Sequence, residues 1–90
     1  MSLTSKIKQQ LKAKAHKLKP VIMIGNNGLT DAVNKEIERA LHDHELIKIR
    51  IQANDRELRH ALLHEICHIH KAESVQVIGR IGVIVRFKSS

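Results

Sequence analysis

Apolar residues recur every three or four positions in three segments of the chain, which is the spacing of an amphipathic helix. The segments predict helices over residues 4–19, from about 31 to 44 and from about 55 to 71. The positions expected to face the core are Ile7, Leu11, Ala15 and Leu18 in the first helix, Val33, Ile37, Ala40 and Leu41 in the second, and Leu58, Leu62, Ile66 and Ile69 in the third.

The ends of these predicted helices carry residues that stop or start a helix. Pro20 is expected to end the first helix, because proline lacks a backbone N–H and restricts the residue before it. Thr30 or Asp31 can cap the second helix and Asn54 or Asp55 the third, since their side-chain oxygens accept hydrogen bonds from the first turn.

Four shorter segments show strand patterning. Val21–Ile24 is wholly apolar, which predicts a short strand buried on both faces. Leu46–Ala53 alternates between apolar and polar residues, which predicts a strand with one exposed face. Val75–Ile78 and Val83–Phe87 are expected to pair as a hairpin around a turn at Gly79–Gly82. In the alternating strand the inward residues are Ile47, Ile49 and Ile51, and the outward ones are Lys48, Arg50 and Gln52.

The predicted elements follow one another in the order α-β-α-β-α-β-β. Strands separated by helices imply right-handed parallel crossovers, and the hairpin adds an antiparallel pair. We therefore expect a two-layer α/β fold with a four-stranded mixed sheet. Ninety residues suit one core, so residues 1–90 are predicted to form a single domain.

The charge balance narrows the choice of partner. Lys and Arg number 16 against 9 acidic residues, which gives a net charge of +7 and a pI near 10.0. Such an imbalance favours polyanions, although a soluble protein can also carry charge without a partner. The first predicted helix holds no acidic residue among its lysines, so its polar face is either solvated or binds a polyanion.

Composition also limits how a nucleic acid could be held. Phe87 is the one aromatic residue, so base stacking on aromatic rings cannot be the main source of affinity. The lone Cys67 cannot form an internal disulfide, and no segment resembles a signal peptide or a membrane span. We therefore expect a cytoplasmic protein, and any contact with RNA must come from backbone donors, lysines and arginines.

Gly25-Asn26-Asn27-Gly28 lies between a predicted strand and a predicted helix. Glycine allows unusual backbone angles and close approach, and the helix that follows offers unpaired N–H groups at a positive dipole end. A phosphate suits such a place, although many turns of this kind only reverse the chain. Lys48 and Arg50, on the next strand, are expected near the loop. Neither nucleotide-binding fingerprint is present, so a nucleic-acid backbone fits better than a mononucleotide.

The chain resembles the CRM domain, named for chloroplast RNA splicing and ribosome maturation, and most of all its stand-alone bacterial YhbY-type form. The likeness covers essentially the whole chain, in order and with matching spacing. It rests on Lys19-Pro20, four apolar residues, Gly25-Asn26-Asn27-Gly28-Leu29-Thr30, Glu36-Ile37, Ala40-Leu41, His44-Glu45-Leu46-Ile47-Lys48-Ile49 and Val75-Gln76-Val77-Ile78-Gly79-Arg80.

The resemblance implies a fold similar to the C-terminal domain of translation initiation factor three and RNA binding through a GxxG loop. For the bacterial form it implies association with 23S rRNA or precursors of the large ribosomal subunit. Carried onto this chain, it makes Gly25–Gly28 the loop, with Lys19 and Arg80 as basic neighbours. One departure is Ile84-Val85-Arg86, where the family often has Leu-Tyr-Arg, so any role of that tyrosine is absent.

His64-Glu65-Ile66-Cys67-His68 matches HExxH, the helical zinc signature of metalloproteases. With His60 these histidines form a row roughly opposite the apolar stripe predicted for the third helix, so they are expected to face solvent. A catalytic zinc also needs a third ligand, and His70 lies well around the helix. The sequence therefore predicts no catalytic residue, metal or cofactor.

Three hypotheses remain after these observations. The first is a non-enzymatic, monomeric factor that binds ribosomal RNA during large-subunit assembly. The second is an adaptor whose basic surface meets an acidic protein on ribosomal particles, and the third is a zinc hydrolase.

Overall fold

The computed structural model describes residues 3–88 and shows the seven elements in the predicted order. The helices are α1 (Ser5–Ala15), α2 (Asp31–His44) and α3 (Arg56–His70), and the strands are β1 (Ile22–Ile24), β2 (Leu46–Ile51), β3 (Glu73–Ile78) and β4 (Ile81–Val85). Thr30 caps α2, with its hydroxyl accepting from the N–H of Val33 at 3.2 Å, and Asp55 caps α3.

The four strands form one mixed sheet in the order β1-β2-β4-β3. β1 and β2 are parallel across the α2 crossover, whereas β4 is antiparallel to both β2 and β3. The predicted mixed sheet is confirmed. The hairpin turn is shorter than predicted, because Ile78 pairs with Ile81 and leaves only Gly79 and Arg80 between the strands. Gly79 has a φ of +55°, which glycine adopts without strain.

Helices cover both faces of the sheet. α2 and α3 pack on the face that carries Ile47, Ile49 and Ile51, which are at most 1% exposed. α1 packs on the opposite face through Leu11 and Ala15. The fold therefore has three layers, and the prediction of two was wrong. Three strand residues explain the difference, since their apolar side chains need cover on the α1 side: Val75, Val83 and Val85.

The inward face of α3 is rotated from the predicted one. Leu58 and Ile69 were expected in the core but are 49% and 46% exposed. Leu63 and His70 are buried in their place, beside the correctly predicted Ile66. The helix carries more apolar residues than one stripe needs, so periodicity alone could not choose between neighbouring faces.

The prediction for the first helix needs two corrections. α1 ends at Ala15, five residues before Pro20, so the proline does not terminate it. Ile7 and Leu18 are 38% and 39% exposed, and only Leu11 and Ala15 of the predicted stripe are buried. The stripe predicted for α2 is confirmed: Ile37 and Leu41 are fully buried, and Val33 and Ala40 pack against them.

The first strand is also less buried than its composition predicts. Val21 lies just outside it, 51% exposed, and Met23 is 57% exposed, so β1 is buried on one face only. It is an edge strand, and α1 packs over β2 and β3 instead. In the described part of the chain, no helix is long and apolar enough to cross a membrane.

Candidate nucleic-acid interface

The Gly25–Gly28 loop is a tight turn that stands clear of the core. The N–H of Gly28 donates to the carbonyl of Gly25 at 3.2 Å, and Gly28 has a φ of +69°. Asn26 and Asn27 are exposed, and a Cβ atom added at either glycine would meet nothing within 4 Å. The turn therefore leaves open space in front of its backbone, where a ligand can approach.

The loop leads directly into the start of α2. The N–H of Thr30 donates to the carbonyl of Gly28 at 3.1 Å, which fixes the turn against the helix. The first backbone N–H groups of a helix lack partners within it and form the positive end of its dipole. Asp31 adds a carboxylate in this first turn, so the helix end alone is not strongly positive.

Topology brings two further segments to the loop. Because β1 and β2 are parallel, both end at the same edge of the sheet, and the N–H of Gln52 donates to the carbonyl of Ile24. The hairpin turn reaches the same edge, since the N–H of Ile51 donates to the carbonyl of Arg80 at 2.7 Å. We call this surface the loop edge: residues 25–31, 52–56 and 79–80.

Arginines surround the loop edge. Arg80 donates from Nη2 to Oδ1 of Asn54 at 2.9 Å, which ties the hairpin turn to the start of α3. Arg50 is exposed on β2, opposite Met23 and two residues from the loop in register. Arg56 is exposed at the first position of α3. The sequence analysis did not single out Arg56, although the parallel order of β1 and β2 was enough to place the start of α3 beside the loop.

Arg59 supports this edge from beneath. Its Nη1 donates to the carbonyls of Ala53 and Asn54 at 2.8 and 3.0 Å. These bonds hold the segment between β2 and α3 in place, and with it the side chain of Asn54 that binds Arg80. The guanidinium of Arg59 is thus engaged by the fold, while that of Arg50 is exposed.

The two predicted lysines lie away from the loop. Lys48 is two residues before Arg50 on β2, about 7 Å farther from the loop edge, and lines a groove beside α1 with Lys12 and His16. Lys19 is exposed in the segment leading to the opposite end of β1. The structure therefore brings Gly25–Gly28, Arg50 and Arg80 together but separates both lysines from them.

The HExxH residues occupy the exposed side of α3. His60, His64 and His68 all face solvent, as predicted, although the helix is rotated from the predicted orientation. Among residues 3–88, no group of three or more His, Cys, Asp or Glu side chains is placed to hold a metal ion. Half-burial raises the pKa of the Cys67 thiol to about 11, so the thiol is protonated at neutral pH.

A charged cluster joins three elements away from the loop edge. Arg86 donates to both carboxylate oxygens of Glu38, at 2.8 and 2.7 Å, and to the carbonyl of His70. The buried His70 ring places its two nitrogens 3.1 Å from Glu38 and from Asn34. Hydrogen bonds from Arg86 and His70 lower the pKa of Glu38 to about 2. The cluster fastens the end of α3 and the chain after β4 to α2.

These features define a class of protein: a small basic α/β domain with a glycine-bounded loop between strand and helix, flanked by arginines at one sheet edge. The chain belongs to the CRS1 / YhbY (CRM) domain family, whose profile matches residues 3–86. The resemblance seen in the sequence is thus confirmed.

Relatives of known name extend over nearly the whole chain. It is 45% identical over 86 residues to a probable RNA-binding protein of Pseudomonas aeruginosa, covering 96% of this chain and 83% of that one. It is 48% identical over 85 residues to an RNA-binding protein of Haemophilus influenzae, covering 94% and 86%. The solution structure of a hypothetical Staphylococcus aureus protein, described as a candidate RNA-binding protein, matches with a TM-score of 0.87 and 32% identity over 99% of this chain and 93% of that one.

Proposed function

We propose that this protein binds RNA through the loop edge and acts, as a cytoplasmic monomer, on 23S rRNA or a precursor of the large ribosomal subunit. It does so without catalysis, holding an RNA conformation while the subunit is assembled. The observation that carries the proposal is the position of Gly25–Gly28, at a helix start and between the exposed Arg50 and the anchored Arg80. Family membership and the names of the relatives support RNA as the ligand.

The geometry suits an RNA backbone for two reasons. The turn leaves open space in which a phosphate can approach its main-chain N–H groups. The arginines supply charge on both sides, and a guanidinium forms paired hydrogen bonds with phosphate oxygens. Because Asp31 weakens the helix end, these arginines are needed as well as the backbone donors.

The choice of ribosomal RNA depends on the resemblance to the stand-alone bacterial YhbY-type form. It can be tested directly by crosslinking the protein to RNA in cells and sequencing the attached fragments. Fragments concentrated at one place in 23S rRNA or its precursor are expected. Fragments spread over messenger RNAs would contradict the ribosomal part of the proposal.

The protein-adaptor hypothesis gives a different result in a fractionation experiment. Particles carrying the protein are treated with ribonuclease and separated by size. An RNA-binding protein is expected to leave the large particles as the RNA is digested. A protein that remains with a ribosomal protein after complete digestion would support the adaptor instead.

A further inference from the structure

One row of side chains across the sheet is left largely uncovered by the helices, and only Ile81 in it packs against the cluster around α1. Cross-strand register aligns Met23, Arg50, Ile81 and Ile78 over all four strands, on the face that α1 covers farther down. Met23 and Ile78 are 57% and 61% exposed, Arg50 is exposed and Ile81 is half-buried. We call these four residues the uncovered row. With strands about 4.8 Å apart, it extends over about 14 Å.

The uncovered row is continuous with the loop edge. Met23 stands two residues before Gly25, and Ile78 immediately precedes the Gly79-Arg80 turn. A ligand held at the loop can therefore continue onto this face without crossing another element of the fold.

A groove of about 500 Å³ continues from the row toward α1. Ile78, Ile81 and Val83 form its apolar floor, and Lys12, His16 and Lys48 stand around it. Among the described residues that line the groove, none carries a carboxylate. The groove thus combines an aliphatic surface with cationic walls.

This combination matches an unpaired nucleic-acid strand better than a duplex. The bases of an unpaired strand expose flat, weakly polar faces, while its phosphates remain charged. A duplex hides those base faces in its own stack. Arg50, in the middle of the row, adds a planar guanidinium on which a base can stack. Phe87, the one aromatic residue, does not contribute to this surface, because it lines a different pocket beside Leu41 and His42.

We propose that the uncovered row and its groove hold an unpaired segment of RNA, with bases against Met23, Ile78, Ile81 and Arg50 and phosphates toward Lys12 and Lys48. The inference rests on the proposed function for the identity of the ligand as RNA. It goes beyond that function by assigning the second surface and by specifying single-stranded RNA.

Two pairs of variants test the inference with a 12-nucleotide oligouridine and a 12-base-pair RNA duplex at one fixed salt concentration. The combined Lys12→Gln and Lys48→Gln variant is compared with Lys6→Gln and Lys14→Gln, which removes two charges from α1 outside the groove lining. Ile78→Ser is compared with Ile69→Ser, which removes an apolar side chain that is 46% exposed on α3. Thermal unfolding confirms that each variant is folded.

The groove variants are expected to bind oligouridine at least about fivefold more weakly than their controls. Ile78→Ser is expected to leave duplex binding unchanged, because a duplex offers no base face to the row. Groove variants that match their controls on oligouridine would overturn the inference, and so would an equal loss on both probes.

The two proposals fail in different ways. Wild-type protein that binds neither probe nor an rRNA fragment would overturn the proposed function and this inference with it. Weakened binding by variants of Asn26 and Asn27, with groove variants that behave as their controls, would leave the proposed function standing alone. The groove variants are also compared with wild type in the fractionation after ribonuclease treatment. If they no longer remain with a protein partner there but still bind oligouridine, the inference is overturned in favour of a protein-docking surface.

Discussion

Asn26 and Asn27 stand exposed between two glycines, at the point where β1 turns into α2. Asparagine tolerates the backbone angles of tight turns, and so does aspartate, which has nearly the same shape. Replacing both residues by aspartate therefore changes the charge of the loop by two units and its geometry very little.

We expect the Asn26→Asp, Asn27→Asp double variant to fold normally and to bind an rRNA fragment about tenfold more weakly, or about 1.4 kcal/mol. The cause is repulsion between two carboxylates and the phosphates that approach the loop. Thermal unfolding and binding are measured at one fixed salt concentration.

Lys35→Glu provides a control with the same change of two charge units, on the exposed surface of α2 beyond the loop. It is expected to weaken binding less than the loop variant. A folded loop variant that binds RNA as well as wild type would show that Gly25–Gly28 is only a turn.

Glu38 is held as a carboxylate by Arg86 and His70, with a pKa of about 2 where its ordinary value is 4.5. The stability that this group adds is complete above about pH 4.5 and is lost as the pH falls toward 2. We expect Glu38→Gln to destabilise the protein by about 1 kcal/mol at pH 7. The loss is no larger because water screens the charge of a half-exposed carboxylate. The melting temperature should fall by about 4–8 °C.

The difference between Glu38→Gln and wild type should shrink steadily when thermal unfolding is repeated from pH 5 to pH 2. Glu36→Gln, two residues away on α2, is the matched control and should cause a smaller change at every pH. A difference that is constant over this pH range would contradict an ionic role for Glu38.

Residue roles set by local sequence were predictable, and roles set by distant contacts were not. Thr30 and Asp55 were each one of the two caps predicted for their helix, because a cap depends only on the few residues after it. The pairing of Glu38 with Arg86 spans 48 positions, and no local pattern indicates it. Arg86 was known only as a residue shared with the family, and the structure gives it a structural contact.

Three exposed histidines lie along α3. Replacing His60, His64 and His68 together by glutamine should leave the melting temperature and RNA affinity nearly unchanged, since all three face solvent. The same protein is analysed for bound zinc after purification without chelators. Stoichiometric zinc in wild type, lost together with an activity in the variant, would show that the HExxH match is functional.

The contact between α3 and the sheet depends on the absence of a side chain at Gly82. A Cβ at that position would lie 2.8 Å from Cδ1 of Leu63, which is buried between helix and sheet. Gly82→Ala is therefore expected to shift the end of the Leu63 side chain and to destabilise the protein by about 1 kcal/mol, measured by denaturant unfolding. In a Leu63→Ala background the same substitution should cost much less, because the opposing methyl group is gone.

Additive effects of Gly82→Ala and Leu63→Ala would contradict this steric account. The pair also explains why the core face of α3 was predicted in the wrong place. Leu63 fits because the opposite strand has a glycine there, and helical periodicity contains no information about the partner surface. The inward face of β2 was predicted correctly because strict alternation allows only two orientations, and three isoleucines select one of them.

At the scale of the whole molecule, the sequence predicted the mixed sheet but not the third layer. Element order and crossover handedness are nearly sufficient to predict the mixed sheet. The third layer depends on small apolar residues in β3 and β4. The two faces of these strands could not be told apart from the sequence, because the strand bounds were uncertain. The grouping of the loop, Arg50 and Arg80 follows from topology, whereas the distance of Lys48 from the loop required the register of β1 on β2.

The overall positive charge predicts a steep dependence of RNA affinity on salt. Each neutralised phosphate of a single strand contributes a log–log slope of roughly −0.7, so four contacts from Arg50, Arg80, Lys12 and Lys48 give a slope of about −3. Affinity for an unstructured RNA is measured at salt concentrations from about 50 to about 300 mM, a sixfold range. The Lys12→Gln, Lys48→Gln variant should reduce the slope by about 1.4. An affinity that hardly changes with salt would contradict phosphate contact by these groups.

The two edge strands of the sheet, β1 and β3, affect how readily the protein aggregates at high concentration. β1 offers only three residues for pairing and follows Pro20, while β3 is interrupted by a bulge between Ser74 and Gln76. Short strands, nearby proline and bulges all obstruct the addition of a foreign strand to an open sheet. The edge strands thus disfavour the growth of amyloid-like aggregates by strand addition, even though the sheet has two open edges.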